Sequence, residues 1–484
     1  MAGFSHLGGY VQPVLDLSTL NSPQREAVLH SGGPLVVFAG AGSGKTRVIT
    51  FRVANLISEH GVAPWRILAV TFTNKAAGEM RERLLGLLGD QGGDVRVGTF
   101  HATCARLLRR HGEVVGLSKD FTIYDDQDQL ALVKRVLRDS GLDEKRYQPK
   151  AMAGRINRAK QEVQGPEDIE TPDAWSEVVR RVYTAYEERL HQANALDFGD
   201  LIYRTVRALE SSETFRAEVV GRFSHVLVDE FQDTNHAQFR LVRLLAEGHR
   251  NLCVVGDDDQ SIYRWRGADR RNILDFRASF PDATLVKLEQ NYRSTQRILR
   301  AANAVIARNQ DREPKELWTD NPEGDAIFVV RTMDERDEAR LVVRGVRELM
   351  SQGHRLSDVV VFYRTHAQSR VIEEALRGAN IAYRIVGGMR FYDRAEVKDL
   401  LGYLRVMTNP ADDMSLLRII NTPTRGIGKT TINRLLDRAA QEGRGLWDLL
   451  QDDDVIAQFG SAARKRLGAF RALMRALRDV AASG

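Results

Sequence analysis

An α/β layered architecture interrupted by helical insertions is predicted by three features of the 484-residue sequence. Short apolar runs bounded by turn residues or charge alternate with segments of helical period. One glycine-rich turn follows such a run directly and leads into a helix pattern. Two long stretches lose the alternation and read as helix alone.

The apolar runs are PLVVFAG (34–40), RILAVTF (66–72), VRVGTF (95–100), HVLVDE (225–230), NLCVVGD (251–257) and ATLVKL (283–288). Each is short and nearly continuous in hydrophobicity, as strands covered on both faces of a parallel sheet must be. TRVITFRVANLISEH and AQFRLVRLLAE supply helices between them. From about 102 to 222 the rhythm changes, with Leu130, Val133 and Leu137 on one stripe and Trp175, Val178, Val179, Val182 and Tyr186 on another. A second α/β unit is expected from about 290, with DAIFVV (325–330), DVVVFYR (358–364) and IAYRIVGG (381–388) as strands. Helical period returns after about 395 in DMSLLRIINTP and TTINRLLDRAAQ.

These patterns divide the chain into a loose N-terminus (1–17), a first sheet domain in two parts (18–101 and 223–289) and a helical subdomain inserted in it (102–222). The first part of a second sheet domain (290–394) and the start of a second helical subdomain (395–484) follow.

At 43% hydrophobic and 28% charged residues, the chain has the composition of a multidomain soluble protein. A net charge of +5 permits a polyanionic partner without requiring one. Two cysteines, Cys104 and Cys253, make a disulfide framework untenable and fit a cytoplasmic setting. No basic start precedes a long apolar run, and no apolar stretch is long enough to cross a bilayer, so no membrane is expected as a partner. Lysine is scarce, 12 against 58 arginines, so a lysine at a phosphate-binding position carries more weight than an arginine would.

Such a lysine occurs in AGAGSGKT, Ala39 to Thr46, directly after the run PLVVF. The segment matches a P-loop with Ala39 in place of the first glycine. Gly42 and Gly44 let backbone N–H groups wrap phosphates, with Ala41 and Ser43 completing the cradle. Lys45 would reach the β and γ phosphates of ATP, and the Thr46 hydroxyl would bind Mg²⁺. A chance glycine-rich turn is the competing explanation; a strand before, a helix after and a rare lysine in place argue against it. In VLVDEFQDTN an apolar run ends in Asp229 and Glu230, at the strand edge where open α/β sheets bind ligands. Asp229 would hold the metal and Glu230 would orient and deprotonate the attacking water. Taken alone the pair could equally be a solvated acidic loop.

A second GKT, in RGIGKTTI (425–432), is rejected as a nucleotide site. Pro423 stands at the first glycine position, and Leu416, Leu417, Ile419 and Ile420 lead in with helical spacing. Gly426, Gly428 and Lys429 could form a helix-hairpin-helix turn whose amides hold a DNA phosphate. A plain helix–helix turn remains open as the alternative.

Taken together, these residues resemble superfamily 1 DNA helicases of the UvrD/PcrA/Rep group, from about Leu20 to the end. LNSPQREAV, AVTFTNKAAGEMRER, VGTFH, ALDFGDLI, GDDDQSIYRWRGA, LEQNYRS and VFYRTHAQSR resemble that family's motifs in its order. The resemblance implies two RecA-like P-loop motor domains, the second incomplete, with inserted helical subdomains. It assigns Gln24 to the adenine edge, Gln260 to sensing the γ-phosphate, Tyr292 and Arg47 to the two faces of adenine, and Arg293 to an arginine finger. Arg293 would lie in the second α/β unit and reach the nucleotide on closure.

For DNA the resemblance implies Phe72, Asn74, His101, Phe198 and Arg364 as contacts. In QSIYRWRG, Tyr263 and Trp265 would share one side of an extended segment, with Arg264 and Arg266 on the other. That stretch offers aromatic faces to bases and cations to phosphates, although core aromatics read the same way. Gly199 and His366 depart from the residues the family often has, acidic and Asn, which leaves both positions open as contacts.

The implied activity is ATP-driven 3′-to-5′ movement on single-stranded DNA with duplex unwinding, in DNA repair, by a monomer or weak dimer. Single-stranded DNA and single-strand/duplex junctions are its partners, and no protein partner is indicated. A protein-displacing translocase, an ATP-switched DNA-binding module and the motor of a helicase–nuclease are the alternatives. The family's later motifs do not occur before Gly484, so this chain is expected to bind ATP but hydrolyse it poorly.

Overall fold

All six apolar runs of the front region become strands of one sheet in a computed structural model that describes residues 15–263, 271–309, 314–386 and 394–483. In chain order the strands are β1 (Leu35–Ala39), β2 (Ile67–Thr71), β3 (Arg96–Thr99), β4 (Thr122–Tyr124), β5 (Ala195–Asp197), β6 (His225–Val228), β7 (Leu252–Gly256) and β8 (Thr284–Leu288). The six runs line up as β3-β2-β6-β7-β1-β8 with every pair parallel. The other two, β4 and β5, form a separate parallel pair of three residues each, too short to stand out as apolar runs.

Alternation along the strands explains the continuous hydrophobicity. In β1, Leu35, Val37 and Ala39 point into a core with Val48, Ile49, Val53 and Met80, whereas Val36 and Phe38 enter another core with Phe231, Phe239 and Phe276. Both faces of β1 are thus dry, and each of its positions is apolar. Cys104 and Cys253 are free thiols, one in each of these cores, and burial pushes them up to about 12 and about 11.

The helical stretch divides in two. The helices Phe100–His111, Phe198–Ser211 and Glu213–Arg222 contribute Cys104, Leu107, Leu201, Val206, Phe215 and Val219 to the sheet's own core. The helices Asp126–Asp139, Pro149–Gln161 and Ala174–Gln192 build a separate core from Val133, Leu137, Met152, Ile156, Val179, Val182 and Tyr186. Of the expected stripes, Trp175 stays 37% exposed and stacks on Tyr147 instead. The C-terminal helices from Asp413 onward form a further core around Leu416, Ile420, Trp447 and Phe470. They join the first helical core through Tyr124, whose hydroxyl donates to Asp412 at 2.8 Å, and Asn409, whose amide donates to Thr122 and to the carbonyls of Ala193 and Asn194.

By its contacts the chain divides into two units: Met1–Gly324 together with Tyr403–Gly484, and Asp325–Gly402. In the second, the helices Glu335–Ser351 and Ser369–Gly378 pack through Val346, Leu376 and Ile381. The three strands expected there do not form among the described residues: 325–330, 358–364 and 381–386 carry no ladder, and Phe328, Val329 and Phe362 are 83%, 94% and 88% exposed. Apolar composition favours extended backbone, which Val359 adopts at φ −110°, ψ 132°, but a strand also needs a hydrogen-bonded neighbour. Residues 387 and 388 of the third run lie outside the described residues.

Candidate nucleotide and nucleic-acid site

The turn after β1 has the geometry that phosphate binding needs. Gly42 and Gly44 take φ +68° and +89°, left-handed values that a side chain would strain. A Cβ at Gly42 would also fall 2.6 Å from Asn291 Nδ2 and 2.7 Å from Arg293 Cβ. Ser43 is spent inside the turn, its hydroxyl donating to the Gly40 carbonyl at 2.7 Å. The helix Lys45–Ser58 begins at Gly44 with no side-chain cap, so the positive end of its dipole and its first amides are open to an anion.

Lys45 and Glu230 meet across this turn, Nζ to Oε2 at 3.2 Å. The ammonium is buried yet makes no well-aligned hydrogen bond among the described residues, so its donors fit phosphate oxygens. Glu230 holds φ +52°, a strained value for a non-glycine residue at the end of β6. Asp229 beside it is buried, and desolvation together with the Glu230 charge pushes its carboxyl up to about 6. Asp233 is pushed up to about 6 by the same two causes, and its Oδ1 has no hydrogen-bond partner among the described residues. Two carboxyls raised by burial and by the Glu230 charge, one with an unsatisfied oxygen, suit a divalent cation, which would favour their charged forms.

Several expected nucleotide contacts brace the turn in this structure. Gln24 is 1% exposed; its amide nitrogen donates to the Ser43 carbonyl at 2.8 Å and its oxygen accepts from the Asn21 amide. Tyr292 is 48% exposed, with its amide on the Gly42 carbonyl at 3.0 Å and its hydroxyl accepting from Asn21. Arg47 lies over the Phe51 ring, 5.4 Å from its centroid. Gln260, in a short turn after β7, donates its amide to the Asp257 carboxylate. By its contacts Arg293 falls in the same compact unit as the P-loop. Asn291 donates to the Ala41 carbonyl and Tyr292 to that of Gly42, tying this segment to the turn.

Two aromatic pairs stand where the ends of β2 and β3 leave the sheet. Phe72 stacks on Tyr263, with ring centroids 5.3 Å apart and 25° between planes. His101 meets Phe198 edge-on at 5.9 Å, and Phe198 is 48% exposed. Burial lowers the His101 imidazole below its usual range, so it stays neutral near pH 7. Asn74 is exposed at the start of the helix Asn74–Leu88. Thr71 pairs with Thr99 across adjacent strands, which sets the two aromatic pairs side by side on the edge that also bears Asp229. Trp265, Arg266 and Arg264 lie outside the described residues. Arg364 and His366 belong to the second unit, both exposed, with His366 edge-on to Tyr363.

At the second GKT, Lys429 opens the helix Lys429–Glu442 after a helix and not a strand, which agrees with its exclusion as a nucleotide site. Gly426 takes φ +72° and Gly428 is the helix N-cap. Asn421 already accepts the amides of Arg425 and Ile427, and Arg466 donates to the Gly426 carbonyl, so much of this turn's polarity is used internally.

Three residues that bear on the site were given no role by the motifs. Gln232 donates to Glu230 at 2.8 Å and accepts the Asp257 amide at 2.9 Å. Lys315 inserts among Asp257, Asp258 and Asp259, the carboxylate group among the described residues compact enough to share a cation. Lys160, fully buried, lies 2.7 Å from Glu187 and 2.8 Å from Asp197 and Asp200, two aspartates that flank Phe198 in sequence. Lysine scarcity was the available signal for the last two.

The sequence matches the UvrD/REP helicase N-terminal domain over residues 20–281 and the UvrD-like helicase C-terminal domain over residues 286–461. These matches fit two RecA-like motor domains. The chain is 47% identical over 467 residues to the ATP-dependent DNA helicase PcrA of Bacillus subtilis (strain 168), covering 96% of this chain and 63% of that protein. The same-named proteins of Staphylococcus aureus (strain Mu50 / ATCC 700699) and Staphylococcus epidermidis are 47% and 48% identical over 442 residues, 91% of this chain and 60% and 61% of theirs. The chain therefore spans about three fifths of the length of these relatives. With the first match alone running from residue 20 to 281, the chain belongs to the UvrD/REP helicase family.

Proposed function

We propose that this protein is an ATP-dependent DNA helicase that moves 3′ to 5′ along single-stranded DNA and opens duplex ahead of it, in DNA repair. The observation that carries the reading is the shared sheet edge: the Lys45–Glu230 pair and the two aromatic pairs all stand where parallel strands end. Lys45 and the amides opening its helix bind the phosphates, and Tyr292 supplies an exposed ring for the base. Glu230 orients and deprotonates the attacking water, while Gln260 and Arg293 read and stabilise the γ-phosphate. Thr46 and Asp229 would hold Mg²⁺, which supplies charge neutralisation to the phosphates when bound. Phe72, Tyr263, His101 and Phe198 offer stacking faces to successive bases, a contact tolerant of sequence, as a translocase needs.

Direction is tested by unwinding of duplexes bearing a 3′ or a 5′ single-stranded tail. Preference for the 3′ tail is expected, and a 5′ preference would contradict the polarity. A translocase that displaces proteins without unwinding would instead hydrolyse ATP with DNA and leave both duplexes intact.

A further inference from the structure

Asp257, Asp258 and Asp259 follow β7 in sequence, and their carboxylates lie within 4.8 Å of one another. Like charges so close, and largely buried, repel unless a cation stands among them. Lys315 supplies it, with Nζ 2.8 Å from Asp257, 2.5 Å from Asp258 and 2.9 Å from Asp259, and a side chain only 2% exposed. Burial by itself would lower the Lys315 ammonium, but the three carboxylates together raise it, so it stays charged.

The turn held in this way is the one that carries Gln260. The Asp257 carboxylate accepts from the Gln260 amide, and the Asp257 backbone amide donates to Gln232, which donates to Glu230, which pairs with Lys45. A continuous polar chain therefore runs from Lys315 to the P-loop lysine. The segment bearing Lys315 is itself anchored at the nucleotide turn. Glu316 and Trp318 donate to Glu289, Asn291 donates to the Trp318 carbonyl at 2.7 Å, and Leu317 packs so tightly on Gly40 that a Cβ there would collide with its Cδ2.

We propose that Lys315 is a positioning residue for γ-phosphate sensing: its ammonium gathers the three aspartates and so fixes the turn from which Gln260 meets the nucleotide. This rests on the reading of Gln260 as the γ-phosphate sensor. Lys315 would not touch nucleotide. Its effect would fall on the difference between triphosphate and diphosphate, and not on binding in general.

The test is titration of fluorescent ADP and of a fluorescent non-hydrolysable ATP analogue, with Mg²⁺, into the wild-type chain and the variants Gln260→Ala, Lys315→Met and Lys315→Arg. Gln260→Ala sets the size of the γ-phosphate contribution. Lys315→Met is expected to keep ADP affinity within about twofold and lose at least half of that contribution on a logarithmic scale, with Lys315→Arg recovering part of it. Equal weakening of both nucleotides, or no change in either, would overturn the proposal. If Lys315→Met does not fold, the double variant Lys315→Met with Asp258→Asn, which relieves the repulsion, is titrated in its place, and the same results support or overturn the proposal. Wild-type chain that binds neither nucleotide would instead sink the ATP-site reading, and a silent Gln260→Ala would sink the sensor assignment on which the proposal stands.

Discussion

Gln232 joins Glu230 to Asp257: its amide nitrogen lies 2.8 Å from the Glu230 carboxylate and its oxygen receives the Asp257 amide at 2.9 Å. The carboxylate proposed to activate water is therefore held between Lys45 on one side and the turn of Gln260 on the other. Replacing Glu230 by Gln keeps the size of the side chain and removes its basicity. ATP affinity is expected to stay within about threefold while DNA-stimulated hydrolysis falls on the order of 10²- to 10⁴-fold. An unchanged turnover rate would remove Glu230 from this role.

Binding of Mg²⁺ with nucleotide should depend on pH through Asp229. Burial and the Glu230 charge raise this carboxyl to about 6, and a cation requires the ionised form. Binding should thus release protons below about pH 6, so affinity rises as pH climbs through that value and levels off above it. Without ligand the sign reverses. A carboxyl whose folded value exceeds its unfolded one favours folding while protonated, and that contribution is lost as pH rises through about 6. Calorimetric titration between pH 5 and 8 checks the first statement, and Asp229→Asn should flatten the curve.

Phe198 is 48% exposed, so cutting it back disturbs little packing and removes one stacking face. Phe198→Ala is expected to weaken binding of an oligo-dT strand by about 1–3 kcal/mol while nucleotide affinity stays put. Fluorescence anisotropy reads both, and undiminished oligonucleotide binding would dismiss Phe198 as a contact.

On either side of that residue in sequence, Asp197 and Asp200 close with Glu187 around Lys160, whose side chain has no exposure of its own. Lys160→Met would leave the buried Asp197 without its cation, with Arg204 still at Glu187 and Asp200, at an expected cost of about 3–5 kcal/mol to folding stability, read from urea unfolding curves. A cost under about 1 kcal/mol, the range of exposed pairs, would show that the cluster relaxes or takes in water.

The first sheet was legible because strands buried on both faces must be apolar at every position, and Leu35 to Ala39 or Leu252 to Val255 satisfy that locally. A ladder is not a local property. The runs holding Phe328 and Phe362 have the same apolar character as β1 but no hydrogen-bonded neighbour among the described residues. The P-loop lysine and its acidic partner were legible for a chemical reason, since few residue types can serve at those places. Order in the chain suggests a new unit for Arg293 but could not show the bonds from Asn291 and Tyr292 to Ala41 and Gly42, which tie its segment to residues about 250 positions earlier. Lys315 could have been flagged by the scarcity that singled out Lys45, but its three partners, Asp258 among them 57 residues away, could not.

Coupling between the two halves of the sheet edge is the claim on which the proposed motor depends. It is tested most directly by the affinity of the chain for labelled oligo-dT with and without a saturating non-hydrolysable ATP analogue, together with the converse titration. The account predicts a shift of at least about fivefold, equal in both directions as linkage requires. Oligonucleotide binding that is the same at zero and saturating nucleotide would contradict it.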